Sequence, residues 1–153
     1  MYSTLLFLHS LGRWAVLCGL LYGMGRAYRG WRGHLPFTTH DNTTRHTVAT
    51  VAHVQLMLGY ALYITSPLLR DFHLRDAVHE PGTLFFGLQH VAAMTVAIIV
   101  LTVGSALAKR QSTSPTKFRT MALWFTAALL LILLAIPWPF SPLASRPYFR
   151  LPH

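Results

Sequence analysis

Acidic residues are nearly missing from this chain. Four Asp and Glu stand among 153 residues, and charged side chains make up 11%, where an ordinary soluble domain carries roughly 25%. So little charge, in a chain that is 53% hydrophobic with a mean hydropathy of +0.42, excludes a disordered tail and a water-soluble module. A single cysteine, Cys18, excludes an intramolecular disulfide framework and a thiolate metal cluster. The sequence has no Walker-type glycine loop, no H-E-x-x-H, no nucleophile elbow and no Ser-His-Asp set, so it gives nucleotide and hydrolase chemistry no foothold. Thirteen Lys and Arg give a net charge of +9. A chain this apolar carries that charge at a membrane surface, with no nucleic acid implied.

Long apolar runs fill the space that charge leaves. Four are evident, at about Thr4–Met24, His46–Leu69, Thr83–Leu107 and Phe118–Trp138. Each reaches the ~20 residues that a helix needs to cross ~30 Å of hydrocarbon. The first resembles a secretion signal in position only, since Arg13 sits mid-run and no small-residue cleavage site follows. Between the runs lie a basic segment, Arg26 to Arg45, a mixed-charge loop, Arg70 to Gly82, and a short turn, Lys109 to Lys117. Pro67 closes the second run; Pro137 and Pro139 close the fourth, ahead of a tail over residues 139–153. The pattern predicts an all-α fold, a single-domain integral membrane four-helix bundle running up-down-up-down.

Basic residues set the expected orientation. Arg26, Arg29, Arg32 and Arg45 in the first connection, with Lys109, Arg110, Lys117 and Arg119 in the third, outnumber Arg70, Arg75, Arg146 and Arg150 on the other side. The excess places the first and third connections in the cytoplasm and both termini outside.

Ionisable residues at membrane depth are functional candidates by default, because burying them without a partner costs several kcal/mol. They are His9 and Arg13 in the first run, His53 in the second and His90 in the third, with Gln55 and Gln89 beside them. The fourth run offers only Trp124 and Thr126 and reads as a seal. The first and third helices both enter from the terminal side, so His9 and His90 lie at matched depth, and His53 falls in the opposite half. Diagonal helices can present two imidazoles across a bundle interior as axial ligands of a planar haem. The plainer alternative for each histidine is an interhelical hydrogen bond. Arg13 follows His9 by one helical turn, and every acidic residue lies in a loop on this reading, so a haem propionate would supply its anion. Snorkelling to headgroups is the other reading. His53-x3-Met57 and His90-x3-Met94 also pair imidazole with thioether, which suits cuprous copper. His73, Asp76, His79 and Glu80 in the outer connection read either as a metal site or as a solvated loop.

The segments Leu8-His9-Ser10-Leu11-Gly12-Arg13-Trp14, Ala52-His53-Val54-Gln55-Leu56, Gln89-His90 and Ile136-Pro137-Trp138-Pro139-Phe140 resemble a family of small bacterial four-helix membrane proteins commonly labelled cytochrome b-like. The resemblance implies haem b, a redox role and a place in the bacterial inner membrane, with His9, His53 and His90 as site residues. His53 finds no imidazole partner in its own half, so at most one fully His-ligated haem is expected.

The resulting expectation is a b-type haem protein for electron transfer, exchanging electrons with a quinone or within a larger respiratory complex, and not an enzyme on its own. His9 and His90 are the expected iron ligands, with Arg13 and His53 completing the cofactor site. His53 and Gln55, placed near the inner interface, are the expected quinone contacts. Two other classes stay open: a copper or zinc binding or transfer protein, and a cofactor-free accessory subunit.

Overall fold

The computed structural model describes residues 1–69, 72–73 and 77–140. Among the described residues, four long helices form the bundle: α1 (Tyr2–Arg32), α2 (Thr39–Thr65), α3 (Pro81–Arg110) and α4 (Ser114–Ala135). All four are long and apolar enough to cross a membrane. Packing runs around a ring, α1 on α2, α2 on α3, α3 on α4 and α4 on α1, which leaves α1 and α3 on a diagonal. The expected tail beyond Phe140 lies outside the described residues, as do Arg70, Asp71, Arg75 and Asp76 of the second connection.

The helices overrun the apolar runs at the end holding the α1–α2 connection. α1 continues to Arg32, where Arg29 and Arg32 complement the negative end of the helix dipole. It stops in a reversed turn: His34 takes φ 51°, and the Leu35 N–H donates to the Gly30 carbonyl at 3.0 Å. α2 begins seven residues before the expected His46. Thr38 and Asp41 cap it reciprocally, the Asp41 N–H donating to the Thr38 hydroxyl and the Thr38 N–H to the Asp41 carboxylate. The expectation that every acidic residue lies in a loop is therefore wrong. Asp41 sits in the first turn of α2, 1% exposed, and pairs with Arg26 at 2.6 Å. Arg45, expected in a loop, is buried inside α2, donating to the Ser105 carbonyl at 3.0 Å and to Asn42 at 2.9 Å.

Large side chains fill the middle of the bundle. Phe118, Phe125, Leu20, Leu101 and Met121 are fully buried, mostly where α4 meets α1 and α3. Two glycines permit that approach. Phe118 occupies the space beside Gly30, and Trp124 the space beside Gly104, where any Cβ would collide. α4 seals the bundle as its composition suggested, and it also contributes polar ties: the Thr126 hydroxyl meets Tyr28 at 3.1 Å.

Candidate functional site

α4 ends where its sequence forbids another turn. Pro137 drives the preceding residue out of helical backbone, and Ile136 is extended at φ −72°, ψ 131°. In a continuing helix the carbonyls of Leu133 and Ala135 would accept from residues 137 and 139, both prolines without an N–H. Side chains take both. The Trp138 indole N–H donates to Leu133 at 2.9 Å, and His90 donates through Nδ1 to Ala135 at 2.8 Å. A carbonyl only accepts, so Nδ1 of His90 carries the ring proton and Nε2 keeps its lone pair. This is the arrangement in which a histidine ligates a metal through Nε2.

His90 itself follows a local irregularity. Phe85–Gln89 form a π-helical turn in α3, with the His90 N–H reaching back to the Phe85 carbonyl. The Tyr63 hydroxyl of α2 donates to the Gly87 carbonyl at 3.1 Å, and Phe72 lies over Gly87 where a side chain would stand. Single π turns of this kind widen a helix and re-aim the residues after them.

His9 is held from α2. The side-chain amide of Gln55 donates through Nε2 to the His9 carbonyl at 2.8 Å and to His9 Nδ1 at 3.2 Å. One turn further along α2, Gly59 lies against the imidazole, where an added Cβ would come within 3.2 Å of Cε1. Gly12 leaves room for the Gln55 oxygen, which is buried and accepts no hydrogen bond among the described residues. The expected depth of Gln55 was wrong. Expected near the inner interface with His53, it instead bonds to His9 of α1.

The two imidazoles meet. Their ring centroids are 6.5 Å apart with planes at 77°. They line one cavity of about 210 Å³, together with Arg13, Gln55 and Met94. The rest of its wall is mainly apolar, with Leu6, Val16, Leu56, Phe86 and Ile132 among the contributors. Tyr60 of α2 and Leu68, just past the end of that helix, line it and are also exposed. Arg13 additionally holds its guanidinium 5.4 Å from the Trp14 ring centre.

His53 is not part of this group. It stands on the outside of the bundle, its Nδ1 donating to the Ala49 carbonyl at 2.7 Å and its Nε2 beside the Thr102 hydroxyl at 3.2 Å. Thr102 lies twelve residues along α3 from His90, about 18 Å by helical rise. Of the two His/Met pairs, His90 and Met94 share the cavity, whereas Met57 is 70% exposed beside His53. Among the described residues, no three His, Cys, Asp or Glu converge as a metal site, and Asp76 of the outer-connection cluster lies outside them.

The cavity residues suit a haem on three counts. Two imidazoles ligating one metal at about 2 Å each hold their ring centres roughly 6 Å apart. His90 has the ligating tautomer, and Arg13 is a cation in an apolar wall. Comparison with protein-family models, with curated protein sequences and with solved structures finds no match to this chain.

Proposed function

We propose that this multi-pass membrane protein binds a b-type haem between α1 and α3 and carries electrons. The observation that supports this reading most is the approach of His9 and His90 to 6.5 Å across an apolar cavity, from helices that are diagonal in the bundle. Haem supplies one-electron exchange when bound; the chain's part is to hold and shield it. His9 and His90 offer nitrogen ligands, the Ala135 carbonyl orients His90, Gln55 orients His9, and Arg13 offers a charge-assisted partner to a propionate. The basic excess at the α1–α2 and α3–α4 connections favours an inner-membrane orientation with both termini outside. A quinone or a larger respiratory assembly is the partner class in keeping with a redox protein confined to the bilayer. The exposed His53, on the lipid-facing side, remains the candidate quinone contact; Gln55 belongs to the haem cavity.

A copper reading has one specific observation behind it. His9, His90 and Met94 line the same cavity, a nitrogen and thioether set that suits cuprous copper.

Haem occupancy of purified variants tests the first reading against the second. The wild type and His53→Ala should load haem, and His90→Ala should not. Copper bound stoichiometrically with no Soret band would favour the second reading and overturn the first.

A further inference from the structure

We propose that the two histidines are unequal: His90 is the anchoring ligand, and His9 is a displaceable one, leaving a sixth coordination position open to a small exogenous ligand such as carbon monoxide. The inference rests on the haem reading and sharpens it.

The asymmetry lies in the hydrogen bonds. His90 gives its Nδ1 proton to the Ala135 carbonyl, so its Nε2 is bare. His9 is wired in the opposite sense. The Gln55 amide nitrogen touches the His9 carbonyl at 2.8 Å, and a carbonyl only accepts, so the NH2 end of the amide must face it. That same nitrogen lies 3.2 Å from His9 Nδ1, which therefore accepts, and the ring proton sits on Nε2. A protonated Nε2 donates a hydrogen bond and does not ligate.

To become a ligand, His9 must move that proton to Nδ1. An Nδ1–H then faces the Gln55 NH2, donor against donor. Turning the amide brings its oxygen to Nδ1 as acceptor, but also sets it against the His9 carbonyl. Close packing around the pair resists any larger shift, because Gln55 fills the space beside Gly12 and Gly59 abuts the imidazole. His90 meets no such conflict. Its orienting carbonyl belongs to a helix end that prolines hold open. Gln55 is thus a positioning residue, acting on the site through His9.

The experiment has a cofactor-free arm and a haem-loaded arm. In cofactor-free protein labelled with nitrogen-15 histidine and held in lipid nanodiscs, His9 should show the Nε2–H tautomer and His90 the Nδ1–H tautomer, assigned by the signals lost in His9→Ala and His90→Ala. In Gln55→Leu the His9 preference should disappear. With haem loaded and reduced, wild type should bind carbon monoxide. His9→Ala should keep its haem and bind the gas at least fivefold more tightly, while His90→Ala should retain haem at least tenfold more weakly than wild type. Gln55→Leu, with His9 released to ligate, should bind the gas more weakly than wild type. Two results overturn the asymmetry alone: the same tautomer at both histidines, or equal loss of haem from both alanine variants with no gas binding by wild type. A wild-type chain that takes up no haem overturns the haem reading, and this assignment of ligands falls with it.

Discussion

The Ala135 carbonyl accepts the Nδ1 proton of His90 at 2.8 Å because α4 ends there and the residue four positions on is Pro139. A helix-breaking sequence at one end of α4 thereby fixes the tautomer of a side chain on α3. Replacing both Pro137 and Pro139 by Ala restores backbone N–H groups that compete for the Leu133 and Ala135 carbonyls. Helicity measured by circular dichroism should rise by about one turn. Haem affinity should fall about fivefold, the equivalent of one hydrogen bond of about 1 kcal/mol. Unchanged affinity alongside increased helicity would show that the carbonyl does not orient His90.

Gly12 is the small residue on which the His9 arrangement depends, since the Gln55 oxygen occupies the place of its absent side chain. Gly12→Ala should expel the Gln55 amide and break both of its bonds to His9. Overpacking of this kind costs about 1–3 kcal/mol. Denaturation in detergent should report that loss, and Gly12→Ala combined with Gln55→Ala should recover part of it. No recovery in the double variant would place the clash elsewhere.

Arg13 lines the cavity with both imidazoles. On insertion scales an arginine near the middle of a span costs about 2.5–3.5 kcal/mol, so Arg13→Gln should insert into membranes at least as well as wild type. With haem bound, loss of the positive charge favours the oxidised and more positive iron, so the midpoint potential should fall and occupancy should drop. A redox titration of correctly inserted protein checks both. Equal potentials would mean that the guanidinium does not act on the haem.

The basic asymmetry of the connections predicts the topology. In a Cys18→Ser background, cysteine at His34 or Ser112 should resist a membrane-impermeant thiol reagent in intact cells, and cysteine at Val78 should react. The reverse labelling would invert the orientation while leaving the His9–His90 geometry as it is.

The spans, their order and the matched depth of His9 and His90 were legible in the sequence because they rest on hydropathy and helical rise, which are local and additive. Helix ends were less so. Residues 25–32 and 39–45 are too polar to register as membrane span, yet arginines at the end of α1 and the Thr38–Asp41 cap extend both helices past the apolar runs. The Thr-x-x-Asp spacing was a readable start signal for α2, whereas the contact of Gln55 with His9 depends on how α2 packs against α1. The π turn before His90 leaves no comparable mark, since Phe85–Gln89 is compatible with ordinary helix. The acceptor for His90 was half visible: the two prolines announce open carbonyls at the end of α4, but which side chain reaches them depends on packing between helices.

The absorption spectrum of wild-type protein, purified from cells with ample haem and recorded oxidised and then dithionite-reduced, tests the central claim most directly. The account predicts one haem b per chain by pyridine haemochrome assay and a Soret band that shifts on reduction. A correctly folded, colourless protein that also takes up no haem on titration would contradict it.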